Sequence, residues 1–232
     1  MPEQSNPVQN VTFASNGYEA HGYLALPVSG RGPGVIMIQE WWGLTTHMAH
    51  MADRLAGEGY VALAPDLYGG ATTHDEAEAL QLLLEIPVDR AARDLRGAVD
   101  FLLSRDEVAG ETVGIVGFCM GGSFALQLGV QEGDKIAAAV AFYPVGYMPD
   151  DYAGLRAPVL VHIADDDQIN PPTLADELNE KISAGTGTMP EIDHYPAGHA
   201  FLNEEDLLGT FDAEQARIAW DRTLAFLRAH LG

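Results

Sequence analysis

Hydrophobic and polar positions fall into short blocks whose period switches repeatedly along the chain. Residues 8–14 and 18–26 read as two strands meeting at the turn Ser15-Asn16-Gly17, an opening hairpin. Gly34-Val35-Ile36-Met37-Ile38-Gln39 is almost continuously apolar, as expected of a strand buried on both faces. From 46 to 58 the period becomes helical, with Met48, Met51, Ala52 and Leu55 on one side and Gly59 at the end. A strand over 60–64 stops at the loop Pro65-Asp66-Leu67-Tyr68-Gly69-Gly70. An acidic helical stretch over 74–86 is separated by Pro87 from a stronger helix over 88–104, with Ala91, Leu95, Ala98, Val99 and Leu102 inward. Further strands are expected at 112–116, 136–142, 158–164 and 191–195, and helices near 122–130, 173–183 and 212–231.

Strands alternating with helices imply βαβ units, so the fold class is α/β, with a mostly parallel central sheet and helices on both faces. No repeat, low-complexity tract or long linker divides the chain, and 232 residues with 47% hydrophobic content suit one domain over 1–232. In such sheets the active residues lie beyond the carboxyl ends of the strands. The chemistry is therefore sought in a few loops.

Composition narrows the function. The formal charge is −22, from 34 acidic and 12 basic residues, the reverse of what a nucleic-acid binder needs. A surface this acidic serves solubility and repels anionic substrates unless the pocket reverses the field. No apolar run approaches the ~18 residues of a membrane span. Met1-Pro2-Glu3-Gln4-Ser5-Asn6 lacks the basic start and apolar core of a signal peptide. One cysteine rules out an internal disulfide framework and fits a reducing compartment. A cytoplasmic protein is expected, acting on a small molecule, without membrane or nucleic-acid partners, as monomer or homodimer.

That one cysteine, Cys119, stands in Gly117-Phe118-Cys119-Met120-Gly121-Gly122, directly after an apolar strand. A sharp strand-to-helix turn has no room for side chains two positions either side of its centre. Gly117 and Gly121 meet that demand, giving the nucleophile-elbow pattern with cysteine in place of serine. Unpaired N–H groups of the following helix would favour a thiolate there. A buried structural cysteine is the competing explanation.

A thiol nucleophile needs a base, and the base an orienting acceptor. His199, in Pro196-Ala197-Gly198-His199-Ala200-Phe201, follows the last strand and precedes the final helix, the place for the base. His21 and His162 fall within strands, where buried or satisfied roles are expected, and His47, His50, His74 and His230 fall on solvated helix faces. His194 competes, but its strand position points it sideways. The acid is expected in Asp165-Asp166-Asp167 after the 158–164 strand, with Asp167 best placed to reach His199 and Asp166 second. The order nucleophile, acid, histidine is that of the α/β-hydrolase arrangement. A metal reading of these aspartates with His47-x-x-His50 is weak, because nothing forces the segments together. No metal or cofactor is expected.

An acyl-transfer site also needs donors for the oxyanion. The elbow offers the Met120 N–H, and the loop Gln39-Glu40-Trp41-Trp42-Gly43 offers the Trp41 N–H, with Glu40 as a second carboxylate near the thiol. Trp41 and Trp42 could wall the pocket or simply cover the sheet end.

Taken together, Gln39-Glu40, Pro65-Asp66-Leu67-Tyr68, Gly117-Phe118-Cys119-Met120-Gly121-Gly122, Asp167 and Ala197-Gly198-His199-Ala200-Phe201 resemble the dienelactone hydrolase family across nearly the whole chain. The resemblance implies an α/β-hydrolase fold without a mobile cap domain and hydrolysis of small esters or lactones. It also implies a triad of Cys119, Asp167 and His199, and it matches Glu40 to a glutamate that influences the thiol before substrate binds. One departure stands out. The family's characterised members hold the substrate carboxylate with arginines, one of them four residues after the histidine. Here that residue is Asn203, and 71–86 contains no Arg or Lys. Arg90 and Arg93 are the remaining substitutes.

The mechanism this implies is attack by Cys119, a thioester intermediate, and water activated by His199. A general carboxylesterase or thioesterase acting on neutral substrates is the nearest alternative. A thiol redox sensor would lack a resolving cysteine, and a non-catalytic scaffold would not need the three side chains at fold-appropriate places.

Overall fold

The computed structural model describes residues 6–231; residues 1–5, which carry most of the signal-peptide reading, lie outside the described residues. An eight-stranded, mostly parallel sheet has the order β1-β2-β4-β3-β5-β6-β7-β8. The chain divides into two compact units, Met1–Val113 and Gly114–Gly232, with the division inside β5 (Val108–Phe118).

In the first unit, β1 (Val11–Ser15) and β2 (Tyr18–Ala25) form the expected hairpin. Its turn uses Asn16 and Gly17, both with positive φ (44° and 89°), the backbone a tight two-residue hairpin requires. β2 runs antiparallel to β4 (Val61–Pro65), which pairs parallel with β3 (Gly32–Ile38). α1 (Thr46–Gly57) buries Met48, Met51, Ala52 and Leu55 as the pattern required. It also buries His47, which had been expected on a solvated face. His74 lies ahead of α2 (Glu76–Glu85) rather than on a helix, because Asp75 caps α2 by accepting from the Ala77 and Glu78 N–H groups. α2 buries only Ala79.

The stripe of α3 (Val88–Leu103) is the expected one, Ala91, Leu95, Ala98, Val99 and Leu102. Burying each such leucine or valine stabilises the fold by about 1.5–3 kcal/mol. Asp94 shares that buried face. Its carboxylate accepts the Ser15 hydroxyl at 2.5 Å and pairs with Arg90 at 3.4 Å, tying the helix to β1. A buried carboxylate persists only with such partners.

The second unit continues with α4 (Met120–Glu132), β6 (Ile136–Phe142), β7 (Val159–Ala164), α5 (Leu174–Thr186), β8 (Glu191–Tyr195) and α6 (Ala213–Leu231). β6, β7 and β8 pair parallel in that order. Their carboxyl ends therefore open on one rim, where loops 143–158, 165–173 and 196–212 begin. α4 starts at Met120 rather than near 122, because the weak helix propensity of Gly121 and Gly122 hid its first turn. Among the described residues no helix is long and apolar enough to cross a membrane.

Candidate active site

β5 ends at Phe118, and the chain reverses at Cys119, whose φ of 56° and ψ of −121° are rare for a residue with a Cβ. Such a conformation costs on the order of 1–3 kcal/mol and persists only when its surroundings over-determine it. Here the Cys119 N–H donates to Phe142 O at 3.1 Å. The Cys119 carbonyl accepts from Gly122 N at 2.9 Å and from Val145 N at 3.2 Å. A Cβ on Gly117 would overlap the Gly121 carbonyl, and one on Gly122 would lie 2.9 Å from Phe142 O. The glycines are thus required by contact. The sulfur sits at the amino end of α4, on a residue 4% exposed.

His199 follows β8 in a loop held tightly against the body of the unit. A Cβ on Gly198 would lie 2.7 Å from Thr210 Cγ2, so only glycine permits the approach. The Thr210 hydroxyl donates to the His199 carbonyl at 2.5 Å. The imidazole packs beside the Tyr143 ring, with centroids 5.0 Å apart. Its Nδ1 lies 2.8 Å from Asp167 Oδ2. An ionised carboxylate only accepts, so Nδ1 carries the proton and Nε2 is left for exchange. Nε2 is buried and has no partner of normal hydrogen-bond geometry.

The electrostatics follow from this arrangement. Burial alone would lower the proton affinity of His199. A thiolate at Cys119, with the hydrogen bond and charge of Asp167, outweighs it and pushes its pKa up to about 10. For Asp167, burial works upward, but the His199 hydrogen bond and charge, with the Asn170 and Ile169 N–H groups, hold the carboxyl below its ordinary value.

The neighbouring candidates sort themselves. Asp165 pairs at 2.6 Å with His194, so the competing histidine is engaged elsewhere, and both side chains are about half exposed. Asp166 faces solvent. His162 is fully buried, bonded to Tyr195 and Thr223, as its strand position indicated. Met120, first residue of α4, is buried. In the first unit, Glu40 and Trp41 follow β3, Glu40 buried and Trp41 edge-on to Trp42 at 5.0 Å. Among the described residues no group of three or more His, Cys, Asp or Glu side chains is arranged to hold a metal ion. Tyr143 was not singled out from sequence, although it directly follows β6 at the expected rim and has φ 35°.

The family model for the dienelactone hydrolase family matches residues 20–231. The chain belongs to this family. It is 34% identical over 233 residues to Protein usf of Aquifex pyrophilus, covering 96% of this chain and 99% of that one. Carboxymethylenebutenolidase of Pseudomonas sp. strain P51 is 28% identical, covering 93% of this chain and 92% of the relative. Among solved structures, the dienelactone hydrolase-like promiscuous phosphotriesterase P91 from metagenomic libraries superposes with a TM-score of 0.81 at 26% identity, covering 96% and 97% of the two chains. The α/β-hydrolase fold expected of a dienelactone hydrolase family member is the one observed. Asn203, where the family's arginine was expected, is buried.

Proposed function

We propose that this family member hydrolyses small esters or lactones, with Cys119 as nucleophile, His199 as base and Asp167 as the acceptor that orients the base. The observation that carries the reading is one imidazole bonded to Asp167 through Nδ1, unpartnered at Nε2, and under the charge of Cys119. The lactone side of the proposal comes from the relative named carboxymethylenebutenolidase.

In the first half-reaction His199 Nε2 takes the thiol proton of Cys119, the sulfur forms a bond to the substrate carbonyl carbon, and the carbonyl electrons move to oxygen. The Met120 N–H receives that oxyanion. Collapse breaks the carbon–oxygen bond, and the leaving oxygen takes the proton from His199 Nε2. The acyl group then rests on sulfur as a thioester. In the second half, His199 Nε2 removes a proton from water, the hydroxide adds to the thioester, and the thiolate departs. A reducing, cytoplasmic setting would keep the lone thiol usable.

Asn203 and the absence of Lys and Arg from loops 165–173 and 196–212 favour neutral substrates over carboxylate-bearing ones. A carboxylesterase or thioesterase activity on neutral acyl compounds is thus the second reading of the same site. The test is turnover of an activated neutral ester by wild type and Cys119→Ala. We expect loss of activity to background and, in wild type, a burst of alcohol ahead of acid release. Undiminished turnover by the alanine variant would end the proposal.

A further inference from the structure

The Asp167 carboxylate is held by four donors, and two of them come from one residue. Oδ1 accepts the N–H groups of Ile169 at 2.8 Å and Asn170 at 3.0 Å. Oδ2 accepts His199 Nδ1–H at 2.8 Å and the Asn170 side-chain Nδ2–H at 3.0 Å. Asn170 therefore grips both oxygens, one through its backbone and one through its amide. The amide shares Oδ2 with the imidazole, so it fixes the rotation of the carboxylate that puts a lone pair on the Nδ1–H line.

The alternative to that rotation is close by. A cavity of about 130 Å³ adjoins the carboxylate, lined in part by Asp165, Asp167, Asn170 and His194. The space is enough for a few waters. The charged or titratable groups around Asp167 are then His199 from the loop after β8, Tyr143 from the loop after β6, Asp165 from the end of β7, and His194 from β8 itself, the last two paired with each other. The cavity lining includes no lysine or arginine. A carboxylate free to rotate would thus trade His199 for water.

We propose that Asn170 is a positioning residue for the acid–base pair: its amide locks Asp167 Oδ2 onto His199 Nδ1 and bars that oxygen from the adjoining cavity. Its catalytic consequence rests on the function proposed above, but its geometric content does not. The bond favours the ionised carboxylate and costs no desolvated charge of its own. Replacing the amide changes both the orientation of Asp167 and its hold on a proton.

Two near-isosteric variants separate this from a purely structural role. Asn170→Leu removes the donor, and Asn170→Asp replaces it with a second negative group; both keep the two backbone bonds to Oδ1. We expect kcat at pH 8 to fall about tenfold with KM changed less than about twofold. We also expect the ratio of kcat/KM at pH 4.5 to that at pH 8 to fall about twofold in Asn170→Leu, and further in Asn170→Asp, because each makes Asp167 easier to protonate. A structural role alone would lower activity by the same factor at every pH. The low-field proton resonance of His199 Nδ1–H supplies a readout independent of turnover. It should move and exchange faster with water in both variants, even if the protein proved to have no esterase activity. An unmoved resonance, or an unmoved pH ratio in a folded and active variant, would overturn the assignment.

Discussion

His199 Nδ1 and Asp167 Oδ2 lie 2.8 Å apart in side chains only 3% and 6% exposed. At this burial the pair is shielded from solvent, and its effect on the imidazole is not screened as a surface pair would be. Asp167→Asn replaces an acceptor with a group that can donate, favouring the wrong tautomer of His199. We expect kcat to fall by about 10²–10⁴-fold. The His199 ring titration, followed by NMR, should centre near 10 in wild type and move down in the variant, because two of its raising causes are lost. Cys119→Ala should lower it further, the charge of Cys119 being the largest raising cause. A midpoint indifferent to both substitutions would mean that the three side chains do not act on one another.

Charge selectivity follows from the rim of the second unit. Loops 165–173 and 196–212 carry Asp165, Asp166, Asp167, Glu204, Glu205, Asp206 and Asp212, with no lysine or arginine. Each unit charge about 10 Å from a substrate anion contributes roughly 0.4 kcal/mol in water-like surroundings. Several together amount to about tenfold in kcat/KM. A neutral ester should therefore outrun its monoanionic analogue by about that factor, and the gap should close in 0.5 M salt, where screening is nearly complete beyond ~4 Å. A faster anionic substrate at low salt would point to a cationic subsite the charge count does not reveal.

Gly117 sets the elbow. Gly117→Ala places a methyl group on the Gly121 carbonyl, within backbone that cannot move without unseating Cys119. We expect a loss of stability on the order of 3 kcal/mol, with activity lost even in the folded fraction. Thermal melts and specific activity per folded molecule measure the two effects separately. Gly57→Ala is the control, since a Cβ there meets nothing within 4 Å.

What could be read from the chain is what local sterics and period determine. The hairpin turn at Asn16 and Gly17, the elbow around Cys119 and the inward face of α3 each follow from spacing alone. That Asp167, rather than Asp165 or Asp166, reaches His199 was also accessible, because its distance past the end of β7 sets its reach. Asp94 was not. Its burial depends on Ser15, 79 residues away, and an acid on an apolar face reads as an interruption. His47 was placed on the wrong side because one helical turn of alternating polarity leaves the orientation undetermined. The grip of Asn170 was invisible for a different reason. It depends on how loop 165–173 folds back on its own carboxylate, which no periodicity encodes.

His162 gives a prediction about stability that does not involve turnover. It is fully buried in the second unit, with Tyr195 Oη 2.8 Å from Nδ1 and Thr223 Oγ1 2.9 Å from Nε2. The direction of the Thr223 bond follows from what lies beyond it. The Thr223 hydroxyl donates to Ala219 O at 3.0 Å, so its oxygen accepts His162 Nε2–H. Arg222 donates to Tyr195 Oη at 3.1 Å, and Asp193 acts on the same hydroxyl. Both nitrogens of the neutral ring are satisfied. Burial first, and the Arg222 charge second, lower the pKa to about 3. Below the ordinary value of 6.5 the unfolded chain binds a proton that the native ring refuses. Stability from this residue is therefore complete above pH 6.5 and is lost as pH falls from 6.5 toward 3, at up to about 1.4 kcal/mol per pH unit. His162→Gln keeps a donor and an acceptor but cannot titrate. Urea unfolding of both proteins at pH 7, 6, 5 and 4 should show the wild type losing ground to the variant by nearly one proton's slope. Parallel curves would mean that the native ring takes up its second proton without penalty, and the buried network would then have to be drawn with a charged histidine.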